Sequence, residues 1–382
     1  MALSKIDVAN MLTGLVPNDN TIRRPNATPL IINGDMAVAQ RETSVTGITG
    51  NGVNSLDRMY WAINSIGTYT CAQESLTSGP AFEAGFANAM RIDCTSADAS
   101  PASADYLYMQ YNFEGQDLQL FKKGTSSAEK FTLAFWVKSN KTGQGNIEFK
   151  DKDNSNRHAI GSYTISSADT WEHKVVVINA DTTGAFDDDN AKSMNINWWL
   201  GSGDNYTGVA EGDAAWLAND ADRANNDGAL AINDNTANDW AITGIQLEVG
   251  EYTSTTLPPF EHESFGDNLA RCQRYFLFTG DGDAYQSHGT GVEVSSTVAY
   301  CNIPLANPMR ATPSITKEDA LVIFDGNGES AITSLGNVYY SKFGTVVQLA
   351  VTASGGGLSD NAGAIVYSSG DSTSGFLLDA EL

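Results

Sequence analysis

Positive charge is what this chain has least of. Its 382 residues carry 22 Lys and Arg against 46 Asp and Glu, a net charge of −24. So acidic a chain is repelled by DNA, RNA and anionic bilayers, so neither nucleic acid nor membrane is expected as a partner. Cysteine and histidine are also scarce. Cys71, Cys94, Cys272 and Cys301 include no CxxC pair, and there are four His. That speaks against a zinc site and against a disulfide framework; free buried thiols of a protein made in a reducing cytoplasm fit instead. No apolar run is long enough to span a bilayer, and Met1-Ala-Leu-Ser-Lys-Ile-Asp does not read as a secretory signal. Also missing are a G-x-S-x-G elbow, a P-loop, Rossmann glycines, H-E-x-x-H and the repeat of a parallel β-helix. Paired carboxylates are everywhere in so acidic a chain and single out no glycosidase centre. No catalytic constellation emerges, and the chain is expected not to be an enzyme.

What is present is the material of short strands and tight turns. Hydrophobic residues make up 41 % and Gly numbers 36, while helix-period patterns are nearly absent. Phe131-Thr-Leu-Ala-Phe-Trp-Val-Lys138 puts Phe131, Leu133, Phe135 and Val137 on one face. Met194-Asn-Ile-Asn-Trp-Trp-Leu200 turns Met194, Ile196, Trp198 and Leu200 inward and Trp199 outward. Further strands are expected at Tyr106–Phe113, Ile147–Lys150, Ala159–Ile165 and Trp171–Ile178. Another, over Asp239–Gly250, offers Ala241, Ile245, Leu247 and Val249 as its apolar face, and Pro258-Pro259 closes it. The fold class is therefore all-β: an antiparallel jelly-roll β-sandwich, then a smaller β-rich tip domain, with a short N-terminal helix. The expected divisions are 1–28 (a docking or oligomerisation helix over 2–15, then a linker), 29–262 (the sandwich) and 263–382 (the tip). In the last part Val292, Val294, Ser296, Val298 and Tyr300 alternate, and Asp325-Gly-Asn-Gly328 reads as a hairpin turn. The apolar strand Phe376-Leu-Leu378 needs a cover, which an oligomer interface would supply.

Candidate binding residues lie among the Asp- and Asn-rich loops at 179–239. Flat sugar faces stack on aromatic rings, while sugar hydroxyls donate hydrogen bonds to Asp and exchange them with Asn and Gln. Trp199, Asp204, Asn205, Tyr206, Asp213 and Trp216 are the first such set; Tyr285 and His288 form a second. Asp151-Lys-Asp153-Asn-Ser155 begins like a calcium loop but has Asn156 at the sixth position and Ser162 at the twelfth. Asp151 and Asp153 are kept as candidate ligands for a structural calcium; no other cofactor is expected.

Several phrases, in order, resemble tailed-phage tail-fibre and related virion proteins. They are Leu30-Ile-Ile-Asn-Gly-Asp35 with Gln40-Arg41, Asp57-Arg-Met-Tyr-Trp61, Asp117-Leu118, Leu133-Ala-Phe-Trp-Val-Lys-Ser139, Ile242-Thr-Gly-Ile-Gln-Leu-Glu-Val-Gly250, Pro259-Phe-Glu-His262, Cys272-Gln-Arg-Tyr275 and Pro308-Met-Arg-Ala-Thr-Pro313. They cover roughly residues 30–315. The resemblance implies a carbohydrate-binding-module-like jelly roll, a β tip domain, and a homotrimer that binds host-surface glycan as part of a virion fibre made in the host cytoplasm. It also implies contact with other virion proteins through the N-terminal helix. Asn33, Gly34, Trp136 and Gly250 match as structural residues. A purely structural role, as a capsid decoration, head fibre or baseplate adaptor, is the alternative, and a glycan hydrolase is the third reading.

Overall fold

The structure, a computed structural model, describes residues 28–208, 214–220, 225, 230–280, 282–341, 343–355, 357–359 and 361–382. The helix expected over 2–15 lies outside these residues. Two compact units emerge. One runs through Ala37, Ser44–Asn54 and Met59–His262, and the other comprises Val38–Thr43, Ser55–Arg58 and Glu263–Leu382.

The first unit is a two-sheet sandwich. One sheet has the order β1 (Ser44–Ile48), β3 (Thr68–Ser75), β4 (Asn88–Ser96), β11 (Asp239–Val249), β6 (Phe131–Lys138), β9 (Glu172–Ile178). The other has the order β2 (Tyr60–Asn64), β5 (Tyr106–Glu114), β10 (Lys192–Ser202), β7 (Gly143–Asp151), β8 (His158–Ile165). The antiparallel pairs nest: β7 with β8, β6 with β9, β5 with β10 and β4 with β11. Nested pairing shared between two facing sheets is the jelly-roll topology. The inward faces are those the alternation predicts. Phe135 lies edge-on to Tyr163 at 5.2 Å and to Trp198 at 6.0 Å, all buried. Trp240 reaches the same core and its Nε1 donates to the Tyr163 hydroxyl at 3.3 Å.

Strand β11 departs from simple alternation. Its register against β6 slips between Thr243 and Gln246, where Gly244 adopts φ +62°. Trp240 and Ile242 therefore lie opposite Ile92 and Val137 in the core register, and Leu247 and Val249 opposite Leu133 and Phe131. Ala241 lies on the other face, in a small cluster with Leu76, Phe86 and Trp171 beneath a single helical turn, α1 (Pro80–Glu83). The expected apolar face is thus correct only beyond the bulge, because one extra residue flips the alternation.

The second unit opens with α2 (Phe265–Cys272). The Ser264 Oγ caps it by accepting the Asp267 amide at 3.2 Å. It makes two turns, with Cys272 buried and Phe265 61 % exposed. Six strands then close a barrel in the order β13 (Ser287–Glu293), β14 (Val298–Pro304), β18 (Val346–Ala353), β17 (Glu329–Tyr340), β16 (Leu321–Phe324), β19 (Gly363–Ser368). The alternating run from Val292 to Tyr300 is a hairpin with its turn between β13 and β14. Asp325–Gly328 forms the expected turn between β16 and β17. A three-stranded sheet holds β12 (Phe276–Phe278), β20 (Gly375–Asp379) and β15 (Ser314–Glu318). The expectation that Phe376–Leu378 needs an oligomer to cover it is overturned. The strand is central, paired on both edges, and Phe376 and Leu378 are fully buried within their own chain.

This unit also takes Val38–Thr43 and Ser55–Arg58, which lie within the span 29–262 expected for the sandwich. The reason is two stacked arginines. Arg41 lies 3.5 Å over the Phe276 ring and 3.1 Å from Asp379. Arg58 lies 3.4 Å over Tyr275 and pairs with Glu381.

Gly244 gives the first test. A Cβ there would lie 2.6 Å from the Phe86 ring, at a positive φ. Gly244→Ala should destabilise the sandwich by about 1–3 kcal/mol, read as a lower urea midpoint for the tryptophan fluorescence transition.

Candidate functional site

Alternation along β5 and β10 points one row of residues into the core and the other onto the outer face of the five-stranded sheet. The outer row of β5 is Tyr106, Tyr108 and Gln110. On β10 it is Asn195, Asn197 and Trp199, and on β7 Gln144, Asn146 and Glu148. Register sets Trp199 between Tyr108 and Asn146, and Asn197 between Gln110 and Glu148. On the edge strand β2, Tyr60 pairs with Gln110 and Asn64 with Tyr106.

The rings gather at one side of this face. Trp199 lies 4.7 Å from Tyr108 and 5.3 Å from Tyr206, and Tyr106 lies 5.4 Å from Tyr108 and 5.8 Å from Tyr206. Tyr206 arrives from a 3-10 turn, Asp204–Tyr206, just after a bulge at Trp199–Gly201. The bulge needs Gly201, since a Cβ there would lie 2.3 Å from the Asn233 Oδ1. Trp199 is 3 % exposed and forms a floor; Tyr60, Tyr106, Tyr108 and Tyr206 are half-buried. Burial pushes the phenols of Tyr60, Tyr108 and Tyr206 above their ordinary range, so at neutral pH they remain hydroxyls that donate and accept.

The rest of the face is a hydrogen-bonded network around Glu148. Its Oε2 accepts from Asn197 Nδ2 at 2.8 Å and from Trp199 Nε1 at 3.3 Å. Its Oε1 lies 3.0 Å from His158 Nδ1 and 3.2 Å from Lys150 Nζ. Gln110 Nε2 donates to Asn197 Oδ1 at 2.8 Å, tying β5 into the chain. Burial alone would raise the Glu148 carboxyl. The bonds from His158 and Asn197 and the charge of Lys150 outweigh it and hold the group down to about 2. So strong an acid, already saturated with partners, makes a poor proton donor and a good anchor for the rings beside it.

The structure joins only part of the predicted set. Trp199 and Tyr206 meet, with Asp204 and Asn205 exposed at the turn beside them. Asp213 lies outside the described residues. Trp216 does not join the ring cluster. Its Nε1 donates to the Asn179 carbonyl at 2.9 Å, its ring lies 6.2 Å from Phe131, and it is buried as a plug. In the second unit Tyr285 is 71 % exposed but His288 is buried, 2.9 Å from Thr279 Oγ1 and packed near Phe376, so the two make no common patch. Tyr60, Tyr106, Tyr108, Gln110, Asn197 and Glu148 are not among the residues expected from sequence. The signal was available, because Tyr106, Tyr108 and Gln110 alternate along a strand that the sequence did identify.

Asp151 and Asp153 do not face a shared cation. The Lys123 ammonium fills the space, 2.5 Å from Asp151, 3.1 Å from Asp181, and 2.9 and 2.8 Å from the carbonyls of Thr183 and Gly184. Asp153 instead accepts the Asp187 amide at 2.9 Å. Among the described residues no group of three or more His, Cys, Asp or Glu could hold a metal ion.

No protein-family model matches the chain, and no curated protein matches it. Solved structures do match, distantly. A protein of Bacteroides thetaiotaomicron named for sugar binding is 17 % identical, with 58 % of this chain and 100 % of that one covered and a TM-score of 0.30. A family 11 carbohydrate-binding module of Clostridium thermocellum, solved with a mixed-linked tetrasaccharide, is 12 % identical over 56 % of this chain and 97 % of that one, at 0.27. The enzymatically active domain of a tailspike protein of bacteriophage CBA120 is 11 % identical over 58 % of this chain and 21 % of that one, also at 0.27. Scores this low carry no argument; the jelly roll stands on its own strand order.

Two tests follow from the charges. The folded-state pKa of Glu148 lies below the ordinary carboxyl value of 4.5. Its contribution is therefore complete above about pH 4.5 and is lost as pH falls through 2. Glu148→Gln should cost about 2–3 kcal/mol at neutral pH, and the gap to the wild type should close between pH 4.5 and 2 in urea melts. Lys123→Met leaves the buried Asp151 without its counter-charge, while Asp181 keeps Arg157, and should cost about 3 kcal/mol or more in the same assay at neutral pH.

Proposed function

We propose that this chain is a non-catalytic saccharide-binding protein, and that its ligand lies across the rings of Tyr60, Tyr106, Tyr108 and Tyr206 on the five-stranded sheet. The observation that carries this reading is the aromatic cluster over Trp199, locked beside the Gln110–Asn197–Glu148 network. Flat apolar C–H faces of a sugar stack on such rings. Neutral phenols and the exposed Asp204 and Asn205 exchange hydrogen bonds with its hydroxyls. The floor is pre-organised, so little ordering is needed on binding. An acidic chain with a net charge of −24 favours neutral or cationic glycans over heavily anionic ones.

The biological setting we infer is a phage virion fibre that adheres to host-surface polysaccharide as a homotrimer. Support comes from the ordered phrases between residues 30 and 315. Three copies would raise a weak single-site affinity by avidity. The N-terminal segment would attach the fibre to other virion proteins.

A glycan array, followed by calorimetry on the best hit, tests the binding. Tyr108→Ala and Tyr206→Ala should each weaken it by roughly tenfold, the equivalent of about 1.4 kcal/mol, while the sandwich stays folded by circular dichroism. Tyr285→Ala should leave it unchanged. Unchanged binding in both sheet variants would remove the site. Analytical ultracentrifugation should find three chains per particle; a monomer that binds no host cells would remove the fibre reading.

A further inference from the structure

A buried carboxylate oxygen in the second unit has no donor. Glu293 ends β13 with no exposed surface. Its backbone is fixed on the loop that leads to β19, since its amide donates to the Ala362 carbonyl and its carbonyl accepts the Asn361 amide, each at 2.9 Å. Its Oε2 accepts the Ser359 amide at 2.6 Å, whereas its Oε1 is buried without a hydrogen-bond partner. The same Ser359 reaches a second carboxylate, its hydroxyl donating to Asp325 Oδ2 at 3.0 Å. Asp325 sits in the β16–β17 turn, where the amides of Asn327 and Gly328 reach its Oδ1 at 2.8 and 3.2 Å. The Asn327 amide first of all holds the Asp325 carboxyl below its ordinary range, while burial pushes Glu293 above it. One loop residue thus links an ionised surface carboxylate to a buried one with an open oxygen.

We propose that Glu293, Asp325 and Ser359 form a binding site for a calcium ion that pins the β16–β17 turn to the loop before β19. The donors on offer are all hard oxygens, with no nitrogen or sulfur ligand, which favours calcium over zinc. A cation at the open Oε1 also offsets the cost of burying this charge. Glu293 Oε1 is open to it, Asp325 Oδ2 keeps a lone pair beside its bond from Ser359, and water completes the shell. Two carboxylates make a weak site, with a dissociation constant of about 10⁻⁴–10⁻³ M.

The test uses the full chain. Its second-unit melting temperature in EDTA is compared with that in 5 mM calcium chloride, and terbium luminescence gives a direct binding readout. Calcium should raise the melting temperature by about 5 °C. Glu293→Gln should abolish both the shift and the terbium signal, and Asp325→Asn should weaken terbium binding at least tenfold. If Glu293→Gln fails to fold, Asp325→Asn on the exposed turn decides alone. No calcium shift in the wild type overturns the proposal. So does a shift that both variants retain, which would locate the ion elsewhere. A Glu293→Gln chain that melts above the wild type in EDTA and ignores calcium also overturns it, because the site would then hold a proton.

Discussion

A single buried carboxylate organises the face that matters most. Glu148 has almost no exposed surface, yet it stays ionised because it is surrounded by His158, Lys150, Asn197 and Trp199. A charge in that position is costly unless every bond is made, so the four partners are fixed in place by it. Trp199 is one of them. Its indole cannot rotate without breaking a bond to the carboxylate, and Tyr108 and Tyr206 rest on it. The aromatic cluster thus inherits its rigidity from an ion that contributes nothing to the surface itself.

The second unit follows the same logic with cations in place of the anion. Arg41 and Arg58 lie flat on Phe276 and Tyr275 and pair with Asp379 and Glu381. Planar guanidinium groups satisfy ring and carboxylate together, which a lysine does not. In the first unit, Lys123 serves instead as a compact point charge among the oxygens of Asp151, Asp181, Thr183 and Gly184. In a chain so poor in positive charge, at least these three cations are spent on buried or stacked structural roles.

Much of the fold was legible because strands announce themselves locally. Phe131–Lys138 and Met194–Leu200 alternate without interruption, and the structure turns inward the residues their patterns name. The reading failed where a neighbour intervened. Gly244 admits a bulge that reverses the alternation in β11, and no composition rule marks which glycine does so. The final strand looked uncovered because its partners β12 and β15 lie about 100 and 60 residues earlier in the chain. Trp216 falls in the Asp- and Asn-rich loop region and His288 beside Gln286 and Ser287, but burial depends on what folds over them. In the sequence Trp199 stands next to the loops that follow it, while the rings it meets include Tyr108 on a strand some 90 residues earlier.

By itself, then, the sequence determined that the chain is nearly all antiparallel β, that it is strongly acidic, and which face of most strands is apolar. These are properties of short windows, set by side-chain periodicity and by the sum of charges. The tertiary structure alone decided which strands become neighbours. Nested pairing brings β2, β5, β10 and β7 side by side, and only then do Tyr60, Tyr108, Trp199 and Glu148 share one surface. A face assembled from four distant segments has no local signature, because pairing in a jelly roll is set by long-range burial that no single window contains.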